Sequence, residues 1–137
     1  RIRTYRSCMT EILHITSRAQ WAAAQQAGAY RGDTLDSEGF IHCSTPLQVV
    51  EVANARFRGT PDLVLLAIDP DRVGPEIRWE AADNGQLYPH IYGPLNTDAV
   101  TQVHEFAPEP DGSFILPTAV GETDHEGPSP EGTGQIA

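Results

Sequence analysis

The feature that most constrains the fold is an unbroken apolar run, Leu63 to Ile68, that lies between Asp62 and Asp69. A half-buried strand alternates apolar and polar side chains, so an unbroken run of this length predicts a strand buried on both faces. The run is too short to cross a bilayer, which takes about 20 residues in a helix. A chain of this size can bury such a strand without disulfides or metals. We therefore predict a single globular domain, residues 10–117, built around this strand.

Two helices are predicted in the first half of the chain, each from its start signal. Ser17 and Gln20 have the spacing of a capping box, and Gly28 is a natural stop for the helix Arg18–Ala27 that follows. The second start is a threonine followed by proline, with a glutamine three residues after the threonine. It predicts a helix over Thr45–Arg58.

The remaining apolar segments are short and are separated by turn-forming residues, which is typical of strands. The polar residues 31–39 predict a loop, and the Pro-Asp-Gly sequence at 110–112 predicts a hairpin between the last two strands. Besides Leu63–Ile68, the predicted strands are Glu11–Ile15, Phe40–Cys43, Ile77–Glu80, Leu87–Tyr92, Val100–Ala107 and Ser113–Leu116. Two early helices with about six strands predict an α+β domain in which the helices pack on a mixed or antiparallel sheet.

The composition limits the partners of the chain. Its net charge is −10, with nineteen acidic residues against nine basic ones, all arginines. A surface this acidic repels phosphate backbones and anionic lipid heads, so general nucleic-acid or membrane binding is not expected. Cys8 and Cys43 lack a CxxC spacing, which favours a reduced, cytoplasmic protein. We predict a flexible segment at residues 1–9 and, from the lack of apolar residues, a disordered acidic tail at residues 118–137.

Three histidines occupy comparable positions on short predicted strands. His14 lies on the first strand, His42 on the strand before the second helix, and His90 on the strand after an Asn-Gly turn. Strand ends are where pockets form, and imidazole is the side chain that exchanges a proton near neutral pH. Any one of these histidines alone is most simply a core or surface residue. The three together predict imidazoles that converge on one polar cleft.

Other polar and aromatic side chains are predicted to belong to this cleft. Ser44 offers a hydroxyl directly before the second helix, and Glu80 offers a carboxylate next to an indole. Tyr88 and Tyr92 flank His90 at alternate positions, so the three side chains share one face of a strand. An aromatic face that contains an imidazole suits a ligand with a planar ring.

Five segments of the chain resemble the domain of unknown function 952 family, a group of small bacterial proteins without an agreed activity. They are LHITS, GFIHCST leading into a helix, an apolar strand ending in Ile-Asp, a Trp-Glu pair, and PHIYGPL. The resemblance runs from Ile12 to Pro117, which is essentially the whole predicted domain.

That family is similar in plan to the ADP-ribosyltransferase superfamily, and the similarity implies NAD as cofactor. In the superfamily a His or Arg on the first strand grips the NAD ribose, and His14 occupies that place. A second strand carrying Tyr or Ser then runs into a helix, as Phe40–Ser44 does here. A later strand carries a catalytic Glu, and the matching strand has His90 at that position. Glu80, on the neighbouring strand, would then supply the missing negative charge.

Three interpretations remain open. In the first, the chain is an ADP-ribosyltransferase-like domain that binds NAD or another nucleotide-bearing small molecule, with Glu80 stabilising positive charge and His90 as general acid or base. In the second, it is a binding module without chemistry. In the third, ranked last, the three histidines and Glu80 hold zinc, although none of them has the close spacing of a metal motif and no metal is expected. The residues assigned to ligand binding are His14, His42, Ser44, Tyr88 and Tyr92.

Overall fold

The computed structural model describes residues 11–118 and residue 120. The segment predicted to be flexible, residues 1–9, and most of the predicted tail, residues 118–137, lie outside the described residues. No helix in the described part of the chain is long and apolar enough to cross a membrane. The described residues form a small α+β domain, as predicted.

The described chain contains three α-helices and eight strands. The helices are α1 (Arg18–Ala27), α2 (Leu35–Glu38) and α3 (Val49–Arg56). The strands are β1 (Ile12–Ser17), β2 (Ala29–Tyr30), β3 (Ile41–His42), β4 (Leu63–Ile68), β5 (Glu76–Ala81), β6 (Leu87–Tyr92), β7 (Leu95–Asn96) and β8 (Val100–Glu105). Short 3₁₀ turns, Pro70–Arg72 and Thr97–Ala99, precede β5 and β8.

The strands form three antiparallel sheets, with the orders β1-β4-β8, β2-β7 and β3-β6-β5. One backbone bridge joins the first sheet to the third. The Leu13 amide donates to the Ser44 carbonyl at 2.7 Å, and the Ser44 amide donates to the Leu13 carbonyl at 2.8 Å. This bridge brings the start of β1 next to the residues that follow β3.

The sequence signals for α1 and β4 act as predicted. The Ser17 hydroxyl accepts from the Gln20 amide at 3.1 Å, and Gly28 ends the helix at a φ of +87°, which residues with a Cβ adopt only with strain. Strand β4 is buried along its whole length because β1 and β8 pair on its two edges and core side chains cover both faces.

The two faces of β4 contribute to separate hydrophobic clusters, because successive side chains of a strand point to opposite sides. Leu66 and Ile68 pack in the first cluster with Ile41 and Ile91 of the third sheet. The second cluster lies on the other side of β4, below α3. Its buried members are Leu13, Ile15, Val49, Ala53, Leu63, Leu65, Ala67, Phe106, Phe114 and Val120.

The predicted number and arrangement of elements were wrong in several places. The described chain has eight strands in three sheets instead of about six in one, and three helices instead of two, so an ADP-ribosyltransferase-like arrangement is not shown. The predicted loop at residues 31–39 contains α2, because the Glu38 amide donates to the Thr34 carbonyl at 2.7 Å and Gly39 closes the turn at a φ of +93°. Strands β2 and β7, two residues each, were missed.

The start of one predicted helix and the assignment of one predicted strand also differ from the structure. Helix α3 begins at Val49, because residues 45–48 form a turn in which the Gln48 side-chain oxygen accepts from the Thr45 amide at 3.0 Å. Ser113–Leu116 is not a strand. The Phe114 amide instead donates to the Asn54 side chain at 2.7 Å, while the Phe114 ring packs 4.8 Å from that of Phe106.

One described residue of the predicted tail packs in the core. Val120 lies beyond the predicted boundary at residue 118, yet it is 1% exposed and packs in the second cluster. A buried valine gains free energy from leaving water, so Val120 contributes to the stability of the core.

Candidate functional site

A polar and aromatic surface lies on the sheet formed by β3, β6 and β5. His42 pairs with His90, and Arg78 pairs with His90 from the other side. Ile41 and Ile91 belong to the first cluster, so the residues next to them point away from that cluster. We call this outward surface the imidazole face. Its members are Phe40, His42, Arg78, Glu80, His90 and Tyr92.

The two imidazoles of this face lie close together because of where they fall in the ladder. The Cys43 amide donates to the Pro89 carbonyl at 3.0 Å, which makes the neighbouring His42–His90 pair a non-hydrogen-bonded one. Side chains approach most closely at such pairs. The His42 and His90 ring centroids are 5.1 Å apart, with the rings edge to face.

Glu80 is held by two donors from the adjacent strand. The Tyr92 hydroxyl donates to Glu80 Oε1 at 2.6 Å, and His90 Nδ1 lies 2.7 Å from the same oxygen. The hydrogen bonds from Tyr92 and His90 lower the pKa of the Glu80 carboxyl, so it is ionised at neutral pH. Both contacts go to Oε1, and Oε2 receives no hydrogen bond from the described residues.

The Glu80 carboxylate also determines the tautomer of His90. With Nδ1–H donating to the carboxylate, the lone pair of the neutral ring is on Nε2. Nε2 has no hydrogen-bond partner and is not among the buried unpaired atoms of the described residues, so it reaches the surface. The His90 side chain is only 13% exposed. A carboxylate that orients an imidazole in this way is a common general-base arrangement.

An aromatic platform lies beside this pair. The Phe40 ring stacks on His90 at a centroid distance of 4.1 Å, and it also packs 4.7 Å from His42 and 5.2 Å from Tyr92. The Arg78 guanidinium lies 4.3 Å from the Tyr92 ring centroid. These contacts restrict the rotamers of the rings and present ring surface next to the Glu80 carboxylate.

His14 does not share the imidazole face. Its chain neighbours Leu13 and Ile15 pack in the second cluster, so the His14 side chain points to the other side of β1, towards the first cluster. It meets His42 through the backbone instead, because His14 Nδ1–H donates to the His42 carbonyl at 2.5 Å. The His42 carbonyl lies two residues before the backbone bridge at Ser44, and the His14 imidazole supplies its hydrogen bond.

A chain of buried hydroxyls continues from His14 towards the surface. The Tyr30 hydroxyl lies between His14 Nε2, at 2.7 Å, and the Thr16 hydroxyl, at 2.8 Å. The Thr16 hydroxyl donates to the Gln20 side-chain oxygen at 2.9 Å, and the Gln20 side-chain nitrogen donates to the Asp33 carboxylate at 2.7 Å. Burial lowers the pKa of His14 to about 4 and raises the pKa of Tyr30 to about 12, so both are neutral at pH 7.

The other residues predicted for ligand binding have structural contacts. Ser44 is 5% exposed, and its backbone forms the bridge to Leu13. Tyr88 is buried, and its hydroxyl accepts from the Asn84 side chain at 2.9 Å. Tyr92 stays on the imidazole face, as its alternation with His90 predicts.

The described residues show no metal site. No group of three or more His, Cys, Asp or Glu side chains between residues 11 and 118, or at residue 120, is placed to hold a metal ion. The separation of His14 from His42 and His90 accounts for this, because it divides the three-histidine set. Cys43 is a free, buried thiol whose pKa is raised by burial.

Sequence reasoning missed several residues of this region. Phe40, Arg78 and Glu38 make contacts on or beside the imidazole face, and Tyr30 and Thr16 hold His14. Phe40 was detectable, since it is two residues from His42 on the same strand face. Tyr30 was not, because β2 is too short to give a periodic pattern.

The fold and the imidazole face define a small α+β domain with an open polar site on one antiparallel sheet. The chain belongs to the DUF952 family, whose description is protein of unknown function and whose model matches residues 15–103. A search of curated proteins finds no match.

Solved structures of protein CC0527 from Caulobacter crescentus resemble this chain. Its crystal structure is 38% identical and covers 82% of this chain and 99% of its own, with a TM-score of 0.75. A double mutant of the same protein gives the same values. Its solution NMR structure is 40% identical over 77% of this chain and 91% of its own, with a TM-score of 0.67. These relatives support the fold and the family.

Proposed function

We propose that the imidazole face binds NAD, or a related nucleotide-bearing small molecule, through its nicotinamide-ribose end and transfers the ADP-ribose group. The observation that carries this proposal is the Glu80 carboxylate, which two hydrogen bonds orient and keep ionised while Oε2 stays open. Breaking the bond between nicotinamide and ribose builds positive charge on the ribose. A carboxylate that is oriented in advance stabilises that charge without reorganisation.

The charges around the site favour the nicotinamide end of this ligand. Glu38, Glu76 and Glu80 lie on or beside the face, and Arg78 is paired with Glu76 at 3.1 Å. Carboxylates in excess attract a cationic ring and repel phosphates. The nicotinamide ring of NAD is cationic and planar, so it fits beside Glu80 against the rings of Phe40 and Tyr92. NADH, whose dihydronicotinamide ring is neutral, should bind more weakly.

Each remaining residue has a role in this proposal. His90 takes or gives a proton at Nε2, the atom that reaches the surface. His14 and Ser44 act from behind the face as positioning residues, because His14 donates to the His42 carbonyl and the Ser44 backbone, two residues after His42, pairs with Leu13. Tyr92 orients Glu80 and belongs to the ring platform through its contact with Phe40.

Nicotinamide release from NAD tests the proposal with a matched pair of variants. Glu80→Gln keeps the shape and removes the charge, so the release rate should fall by about a hundredfold or more, the usual scale for one preorganised electrostatic group. Glu76→Gln removes a carboxylate from the same strand that contacts Arg78 rather than His90, so the release rate should stay within about twofold. NAD affinity should fall in Glu80→Gln by far less than the release rate, because the carboxylate also attracts the cationic ring, and it should change little in Glu76→Gln.

The competing hypothesis is a binding module without chemistry. The observation that favours it is that Glu80 Oε1 already accepts two hydrogen bonds, a contact set that would also hold a β-sheet together. If wild-type protein binds NAD but releases no nicotinamide to water or to added hydroxyl acceptors, the transferase proposal is wrong and the binding module stands.

A further inference from the structure

A second carboxylate–imidazole pair lies beside the first. His42 Nε2 is 3.0 Å from Glu38 Oε1, at the end of α2. Glu38 is the last residue of α2, and Gly39 ends that helix at a φ of +93°. The His42 side chain is 41% exposed and that of Glu38 is 47% exposed, so the pair is open to incoming molecules.

The pair leaves one ring nitrogen of His42 without a hydrogen bond from the described residues. When Nε2–H donates to Glu38, the lone pair of neutral His42 is on Nδ1. Nδ1 makes no hydrogen bond to the described residues and is not among their buried unpaired atoms. The centroids of the two imidazoles are 5.1 Å apart. One face therefore carries two basic nitrogens, each on a ring oriented by its own carboxylate.

We propose that His42, oriented by Glu38, is the general base that activates the acceptor, and that the acceptor is a hydroxyl group or water. This inference rests on the proposed ADP-ribose transfer and adds the residue and the acceptor class to it. Glu80 already serves the ribose, and His90 is stacked under Phe40 with little exposure. His42 is the more exposed imidazole, so an acceptor can reach it while the ligand occupies the Glu80 side.

The step balances without any further reagent. A new bond forms between the acceptor oxygen and C1 of the ribose that carries nicotinamide. The bond between that carbon and the nicotinamide nitrogen breaks, and its electron pair leaves with nicotinamide, which becomes neutral. The acceptor proton moves to His42 Nδ1 and is then released to solvent.

Chemical rescue by azide separates a base from a structural residue. Azide is an anion and attacks without losing a proton, so it needs no base. We expect His42→Gln to lower nicotinamide release in water by about a hundredfold, within the usual range for one general base. Added sodium azide should restore most of that rate and yield the azide adduct of ADP-ribose. Glu38→Gln should show a smaller loss with the same rescue.

The control is Asp36→Asn, which removes a carboxylate from the same short helix that pairs with Arg31 at 2.5 Å. Its rate should equal that of wild type with or without azide. Thermal unfolding of each variant shows whether a loss of rate comes from misfolding. If His42→Gln does not fold, the rates of Glu38→Gln with and without azide decide the test. If wild type releases nicotinamide but folded variants keep the wild-type rate, or azide restores nothing, this inference is overturned and the proposed function stands. If wild type releases none, both are overturned.

Discussion

The buried imidazole at position 14 shows how one residue can connect three parts of the fold. Its two nitrogens contact the carbonyl of His42, at the end of β3, and the hydroxyl of Tyr30 on β2, while its own backbone belongs to β1. Burial disfavours the charged ring, which is why its pKa is lowered to about 4. The hydrogen bond from His14 also holds the backbone of His42, whose side chain belongs to the imidazole face. His14 is therefore a stability determinant close to the site.

The pKa of His14 makes the stability of the fold depend on pH. The unfolded chain binds a proton at His14 near pH 6.5, whereas the folded chain resists it until about pH 4, so acid favours unfolding. The contribution is complete above pH 6.5 and is lost as the pH falls, by about 2 kcal/mol between pH 7 and pH 5. Urea unfolding of wild type and His14→Gln at pH 7 and at pH 5 measures this loss of stability. Equal losses in the two proteins would contradict this assignment.

At the scale of elements, long patterned segments were predictable and short ones were not. Leu63–Ile68 and Leu87–Tyr92 were predicted with the observed bounds, and α1 with both of its caps. Strand β2 and helix α2 are held by contacts distant in sequence or by local turns, and neither leaves a hydrophobic period. The pairing of His42 with His90 was within reach of the sequence. The position of His14 on the opposite surface was not, because it depends on which cluster each face of β1 joins.

The close contact between the ends of β5 and β6 offers a test at this scale. A Cβ added to Gly93 would lie 2.9 Å from Pro75 Cβ, and the backbone there has a φ of +155°. Gly93→Ala should lower the free energy of unfolding by about 2 kcal/mol through this overlap. Gly85→Ala, at the other end of the hairpin, has no atom within 4 Å of the added Cβ and should cost only the left-handed strain, about 1 kcal/mol. Equal losses would show that the contact with Pro75 relaxes freely.

For the whole molecule, Val120 packs in the core although it lies beyond residue 117, where the predicted domain ends. A tail poor in apolar residues still contributes one buried side chain to the second cluster, which composition alone cannot reveal. Chains that end after Pro117 and after Val120 should therefore differ. The shorter chain should lose about 2 kcal/mol of unfolding free energy, as should Val120→Ala in the full chain. Thermal unfolding measures both, and identical midpoints would show that Val120 contributes nothing.

The net charge of −10 belongs to the same scale, and under the proposed function it would favour a cationic ligand group over a phosphate. The acidic surface discourages phosphates in general, while the imidazole face combines carboxylates with aromatic rings. The cationic planar ring of the proposed ligand would gain from both. The pyrophosphate of NAD would then lie away from Glu80.

Histidine-resolved NMR during a titration with NAD tests the location of the site most directly. The ring signals of His42 and His90 should shift in a saturable manner, His104 on β8 should not move, and NADH at equal concentration should cause a clearly smaller shift. His104 is a suitable reference because its partly buried ring belongs to a different sheet. If NAD moves His104 but not His42 and His90, or moves none of the three, the imidazole face is not the ligand site.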